Sequence, residues 1–372
     1  MVQMDMGKKD QVDRLLKKGV EEGIYPGAVL LVAYLGRIIL IRKVGNCSII
    51  PHTVTMRRDT IFDLASLTKP LATTLAIMKL ADDATVALNQ SLADLLPEKL
   101  PDDKRRISLH QVLSHCAGFP DWKPFYLNLV KYDPGVRKKH IRNWICKEEL
   151  VYQPGTACLY SDLGFMILQW VIEEVTRMEM HQFLECNFYE PLSLKKTFLG
   201  GTSYSTRFEK ARFAATEDCP WRRRVIQGEV HDENAYALGG YSGHAGLFGT
   251  ADEVYILVDL LREHYRGERK DYFNPQTVKS FFTRQEMADS CTWALGWDTP
   301  SSKNSSSGKY FSTRSVGHLG YTGTSVWLDL DRNLLVIFLT NRIHPSRNNE
   351  KIKAFRPRLH DLILEELGIA YS

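Results

Sequence analysis

No run of apolar residues in this chain approaches the roughly 20 needed to cross a bilayer as a helix. The stretch Met1 to Lys18 also lacks the apolar centre of a signal peptide. The first absence argues against a helical membrane anchor, and the second makes a cytoplasmic location the expectation. Charge of one sign is scarce too: 48 basic against 44 acidic side chains leave a net +4 over 372 residues. Runs such as Arg137-Lys138-Lys139 and Arg222-Arg223-Arg224 are too short for a field that gathers nucleic acid or an anionic membrane, and read as solvated surface. The seven cysteines, at 47, 116, 146, 158, 186, 219 and 291, are odd in number, widely scattered and without a CxxC pair. Reduced thiols, most of them small buried hydrophobes, are therefore expected. Neither HExxH nor another metal-ligand spacing occurs, so neither metal nor cofactor is expected. GxSxG is missing as well: in Gly240-Tyr241-Ser242-Gly243-His244 a histidine takes the last glycine position, which removes an α/β-hydrolase reading.

What is present is 44% hydrophobic residues, enough for a large core or two closely packed lobes. Val12, Leu15, Leu16 and Val20 fall on one helical face. Residues 28–34 and 37–43, around Leu35-Gly36, read as a β-hairpin, and residues 324–330 and 334–340 as a second. Helical patterns occupy 71–80, 109–115, 164–176 and 251–264, and a closing amphipathic helix follows Pro357. Residues 301–308 are low-complexity and read as a flexible loop. Strands at both ends with helices between imply an α+β fold: one antiparallel sheet built from both termini, flanked by helices, with a mostly helical lobe inserted. The expected division is 1–75 and 255–372 for the sheet lobe and 76–254 for the helical lobe, with a site in the cleft between them.

Ser66-Leu67-Thr68-Lys69 is an SxxK motif, matched also by Ser193 to Lys196 and Ser306 to Lys309. Context separates them. Pro70 cannot sit deep in a helix, because its ring clashes with the carbonyl four residues back. The helix running through Leu71, Leu75 and Met78 must therefore begin near Ser66, where free N–H groups favour developing negative charge. Lys69, three residues on, shares a face with Ser66 and can help take its proton. The plainer alternative is a capping serine beside a solvated lysine. Tyr160-Ser161-Asp162 follows a Pro-Gly turn: a tyrosine near an ammonium can relay a proton, while Asp162 either orients Lys69 or caps the next helix. Gly317-His318-Leu319-Gly320-Tyr321-Thr322-Gly323 leads into a strand whose N–H, with that of Ser66, would make an oxyanion hole; a plain glycine-rich turn is the alternative.

These three motifs, in this order, resemble the serine β-lactamase and penicillin-binding-protein superfamily, and within it class C β-lactamases and family VIII carboxylesterases. Pro26 to Val29, Phe62 to Ser66, Val112 to His115, and Gly243 to Phe248 extend the resemblance to roughly residues 26 to 345. It implies a β-lactamase/transpeptidase-like fold. It also implies acylation of Ser66, with Lys69 and Tyr160 sharing proton transfer, the Ser66 and Tyr321 N–H groups binding the oxyanion, and Asp162, His318 and Gly320 binding substrate. Two departures bear on substrate. His318-Leu319-Gly320 replaces Lys-Thr-Gly, so a substrate carboxylate is held less firmly. Asp162 replaces asparagine, and a carboxylate cannot donate a hydrogen bond to an acylamino carbonyl. Both favour a carboxylesterase of small or medium acyl esters over a β-lactamase or D-alanyl-D-alanine peptidase. A non-catalytic acyl- or penicillin-binding relative is the alternative of another class, disfavoured by the retention of Ser66, Lys69 and Tyr160 together. The expected partner is a small-molecule ester or amide. His231-Asp232 is a further cleft candidate, with structural roles preferred for His115, His231, His244 and His344. Trp122, Phe125, Tyr126 and Tyr241 are candidates for an acyl pocket.

Overall fold

Apolar strands at the two ends of the chain pair with each other. In the computed structural model, which describes residues 6–96, 100–200, 207–288 and 291–370, they form one six-stranded sheet. Its strands are β1 (Gly27–Tyr34), β2 (Arg37–Ser48), β3 (Val54–Thr55), β4 (Val316–Leu319), β5 (Ser325–Asp329) and β6 (Leu334–Thr340), in the order β3-β2-β1-β6-β5-β4. Every pairing is antiparallel, and β1 against β6 joins the two ends in the register Ala28↔Thr340 to Tyr34↔Leu334.

The period of two along a strand sorts side chains to opposite faces. Ala28, Leu30 and Val32 of β1, with Leu334, Val336 and Phe338 of β6, meet helices α1 (Met6–Glu21) and α5 (Ile352–Leu367). Val29, Leu31, Ala33, Leu335, Ile337 and Leu339 point the other way, into the core shared with α2 (Leu75–Asp82), α3 (Asp162–Thr176) and α4 (Ala251–Arg266). With both faces covered, β1 and β6 are continuous apolar runs rather than polar–apolar alternations. The divisions expected at 75/76 and 254/255 fall inside helical stretches, 69–82 and Ala251–Arg266, the second of which packs on β1 and β6. Among the described residues, no helix is long and apolar enough to cross a membrane.

Three expectations are corrected. The closing helix begins at Ile352, before Pro357, which lies inside it; the amphipathic face outweighs the one backbone hydrogen bond that the ring removes. Residues 301–304 are exposed, but 305–308 do not hang free. Ser307 is buried, the Lys309 N–H donates to Asp361 at 2.7 Å, and the His360 ring meets the Ser306 carbonyl at 3.1 Å, so this second half of the segment is docked on α5. The scattered cysteines converge in part: the Cys158 sulfur meets those of Cys116 and Cys291, close enough to form a disulfide with one of them at a time, while Cys47 and Cys219 are buried free thiols and Cys186 is exposed. Separations of 42 and 133 residues gave no sequence-local sign of this.

Phe338 is fully buried between Tyr25, at a ring separation of 5.6 Å, and Phe355, at 5.9 Å. Phe338→Ala is expected to lower unfolding free energy in urea by about 3–5 kcal/mol. A loss under about 1 kcal/mol would mean that α5 is not anchored through this ring.

Candidate active site

The chain must turn sharply to present Ser66, and the turn is built by its neighbours. Ala65 has φ +48°, a left-handed conformation that costs a non-glycine residue free energy and persists only where surroundings enforce it. Here they do. The buried Asp63 carboxylate accepts from the Ala65 N–H at 2.9 Å and from the His231 N–H at 2.7 Å, and burial raises its pKa. The Thr68 hydroxyl donates to the Ala65 carbonyl at 2.6 Å and accepts from the Leu247 N–H at 2.9 Å. A 3₁₀ turn over Ala65–Leu67 runs into a π-helical stretch over Lys69–Thr74 that takes in Pro70, and then into α2. The helix thus begins at Ser66, as Pro70 requires, and a widened π turn of this kind often marks a functional site.

Lys69 is the hub. Its side chain is fully buried, and Nζ lies 3.1 Å from Ser66 Oγ, 2.5 Å from Tyr160 Oη, 2.7 Å from Asp162 Oδ1 and 3.3 Å from the His244 carbonyl. Burial by itself would strip the proton from Lys69. The Asp162 carboxylate and the Tyr160 oxygen outweigh it and raise the ammonium above its ordinary value. Burial also raises Tyr160, with the Lys69 charge pulling the other way. The Tyr160 ring is braced by His115 at 4.8 Å, Trp293 at 5.5 Å and His318 at 6.0 Å. Ser161, not Asp162, caps α3, its hydroxyl accepting from the Gly164 N–H at 3.2 Å. That leaves Asp162 free to face Lys69.

Tyr321 lies on a segment stitched to the Ser66 turn: the Thr322 and Thr324 hydroxyls donate to the Asp63 and Leu64 carbonyls at 2.8 and 3.0 Å. Its carbonyl is pinned by Arg342, and among the described residues no backbone carbonyl accepts from its N–H. Gly320 and His318 sit differently from expectation. A Cβ on Gly320 would come within 2.0 Å of Thr324 Oγ1 and 2.6 Å of the Leu64 carbonyl, and its N–H already donates to the Thr324 carbonyl at 2.7 Å. Gly320 therefore permits close packing behind Ser66. His318 is buried, its pKa pulled down to about 3 by burial and then by Lys69. A neutral ring whose Nδ1 sits 2.9 Å from the Leu319 carbonyl must donate there, so it cannot serve as a cationic anchor.

Ser66, Tyr160, Asp162 and Tyr321 open onto a cavity of about 390 Å³, whose lining also includes Asp121, Trp122, His231, Asp232, Glu233, His244 and Arg347 but neither His318 nor Gly320. His231 stacks on Tyr321 at 5.7 Å and meets Glu217 at 3.1 Å; His244 meets Asp232 at 2.9 Å. Burial opposes ionisation of Asp232, but His244 and the Ala235 N–H overcome it and hold its pKa well below the usual range. Of the aromatic residues expected at an acyl pocket, Trp122 alone lines this cavity. Phe125, Tyr126 and Tyr241 pack on Trp144, Trp221 and His181. His115 and His344 are structural: His115 accepts from the Ser161 N–H at 3.1 Å, and His344 accepts from the Ile49 N–H at 3.0 Å. Arg347, Glu217, Asp63 and Trp293 were not foreseen, because nothing in their local sequence marks them.

The chain's relatives give its family. A family described as Beta-lactamase matches residues 12–356. An N-acetylmuramyl-L-alanine amidase of Bacillus subtilis (strain 168) is 33% identical over 370 residues, covering 92% of this chain and 82% of that protein. Among solved structures, EstCE1, a hydrolase with promiscuous acyltransferase activity, superposes with a TM-score of 0.72 at 21% identity over 94% of this chain and 98% of that one. The octameric penicillin-binding protein homologue from Pyrococcus abyssi gives 0.74 at 16% identity, over 96% and 77%.

Proposed function

The chain belongs to the β-lactamase family, and from that premise we propose that it is a carboxylesterase of small or medium acyl esters working through an acyl-enzyme on Ser66. The observation that carries the ester preference is the absence of a free cation in the cavity wall. Among the described residues, Arg347 is the only arginine or lysine in that lining, and it is committed to Glu217 at 2.5 Å and Glu233 at 2.6 Å. With His318 neutral behind Tyr160, no uncommitted cation among the described residues of the lining stands ready to pair with a substrate carboxylate such as that of a penicillin or a C-terminal D-alanine. An ester with uncharged flanks needs no such partner. A cytoplasmic site of action belongs to the same proposal.

Since Asp162 keeps Lys69 as an ammonium, Tyr160 is the better proton acceptor. Burial keeps most of Tyr160 as the phenol, and in the proposed sequence its minor ionised form, stabilised by Lys69, takes the Ser66 proton as Oγ attacks the ester carbonyl. The Ser66 and Tyr321 N–H groups hold the oxyanion. Tyr160 then returns the proton to the departing alkoxide. Water, deprotonated by Tyr160, attacks the acyl carbon and releases the acid, and Ser66 regains its proton.

A second reading, hydrolysis of an amide, is favoured by the 33% identity to an N-acetylmuramyl-L-alanine amidase. Turnover of p-nitrophenyl butyrate, nitrocefin and a muramoyl-L-alanine amide separates the two. The ester is expected to have the highest kcat/KM, falling by at least about 10⁴-fold in Ser66→Ala. Faster nitrocefin or amide turnover would move the substrate class, and activity surviving in Ser66→Ala would refute the nucleophile.

A negative charge favours the protonated form of its neighbours, and Asp162 raises both Lys69 and Tyr160. Asp162→Asn is therefore expected to shift the rising limb of kcat/KM against pH towards lower pH. The new amide should also raise nitrocefin turnover relative to ester turnover. A limb that stays in place or moves upward would show that Asp162 does not set the proton affinity of this pair.

A further inference from the structure

The mechanism leaves one buried nucleophilic cluster unused. Cys116, Cys158 and Cys291 come from three separate parts of the chain and meet beside the Tyr160 segment. The Cα separations, 4.5 Å for Cys116–Cys158 and 5.8 Å for Cys158–Cys291, both lie in the range that a disulfide spans. The outer pair is close as well, with 3.8 Å between the Cys116 and Cys291 sulfurs. Cys158 sits against both neighbours, and its sulfur can hold a disulfide to only one of them at a time. Cys116 and Cys291 are buried, whereas Cys158 is only partly so.

The surroundings tie this cluster to the proposed proton-transfer group. Cys158 lies two residues before Tyr160 in a stretch with no helix or strand of its own. Cys116 follows His115, and Cys291 precedes Trp293 by two residues: these are two of the rings that brace Tyr160, at 4.8 and 5.5 Å. Two backbone contacts complete the attachment. The Leu159 N–H donates to the His115 carbonyl at 3.0 Å, and the Ser161 N–H to His115 Nδ1 at 3.1 Å. A covalent link from Cys158 to either partner therefore anchors the Tyr160 segment to one of the walls that hold its ring.

We propose that Cys116, Cys158 and Cys291 form a redox-responsive thiol cluster in which Cys158, oxidised by a peroxide, bonds to either neighbour and locks Tyr160 against Lys69. The Cys158 thiolate attacks one peroxide oxygen; an S–O bond forms, the O–O bond breaks, and the released hydroxide takes a proton to become water. The Cys116 or Cys291 thiol then attacks the sulfenic sulfur. An S–S bond forms, the S–O bond breaks, and a second water leaves. Two thiols are oxidised to one disulfide, and one peroxide is reduced to two waters. The remaining thiolate attacks Cys158 and expels the first partner, an exchange with no net redox change. A dithiol reverses the oxidation. A link from Cys158 to either partner would hold the 2.5 Å contact between Lys69 and Tyr160 in place, so the oxidised form is the more active one. A responsive bond of this kind is also the sort of disulfide expected in a reducing compartment.

The test uses the full chain, reduced with dithiothreitol, desalted and treated with hydrogen peroxide. Denatured protein is expected to show five free thiols per chain after peroxide and seven before it, of the seven cysteines present. Non-reducing peptide maps should show Cys158 linked to Cys116 in some molecules and to Cys291 in others. Reduction should lower kcat on p-nitrophenyl butyrate roughly tenfold, within the ~10²-fold cost of a misplaced group, with KM changed less. Cys116→Ser and Cys291→Ser should each keep the response through the remaining pair, as should Cys186→Ser, an exposed thiol elsewhere. Cys158→Ser should lose it and match the reduced enzyme; if that variant fails to fold, the Cys116→Ser/Cys291→Ser double variant makes the same test. Seven thiols persisting after peroxide, one zinc per chain held by these sulfurs without a cross-link, or equal kcat in both redox forms would each overturn the proposal. If the protein turns over no ester, the thiol count and peptide map still decide the cross-link, so the two readings fail separately.

Discussion

An ammonium taken out of water loses several kcal/mol of hydration unless a partner of opposite charge and good hydrogen-bond acceptors replace it. Lys69 has no exposed surface at all, and the 2.7 Å contact to Asp162 is what allows its charge to stay inside. The rest of the site is arranged around that pair. Ser161 takes over the capping of α3 and so frees Asp162 to face inward. The Tyr160 oxygen and the His244 carbonyl occupy further positions around Nζ, and Ser66 Oγ is held at 3.1 Å by the same ammonium. Aspartate in place of the asparagine expected from the family resemblance thus changes the ground state of the whole network: the lysine is held as a cation, and in the proposed mechanism the tyrosine is the group whose proton moves.

Such a cluster functions only if its members come from a rigid frame. The β1–β6 pairing closes the two ends of the chain into one sheet, and the segment leading from β4 into β5 carries Tyr321 up against the turn that bears Ser66. Gly320 matters here through what it lacks, since any side chain would collide with the Leu64 carbonyl. Asp63 ties the same turn to His231, so the strained Ala65 is enforced from two directions. Preorganisation of this kind lets donors and acceptors act without rearrangement as charge develops.

Much of this was legible in the sequence, and for local reasons. Pro70 fixed where the helix could start, hence that Ser66 stands at its beginning; the hairpin patterns gave four of the six strands of the sheet. Features carried by long-range contacts were not legible. Asp63 and Arg347 look like ordinary charged residues until folding sets one beneath the nucleophile and the other, balanced by Glu217 and Glu233, in the cavity wall. His318 was read as a weak carboxylate anchor because the motif aligned it there, but burial behind Tyr160 makes it a neutral brace. The three converging cysteines were invisible for the same reason: sequence spacing reports distance only within one element.

The central claim is covalent, so the most direct measurement is the mass of the enzyme during turnover. Protein mixed with excess p-nitrophenyl butyrate, quenched in acid within the first turnovers and digested, is predicted to carry a butyryl group on the peptide containing Ser66. That adduct should be absent from Ser66→Ala and should decay as substrate is exhausted. Turnover with the acyl group on another residue, or an ester hydrolysis rate unchanged in Ser66→Ala, would contradict the account.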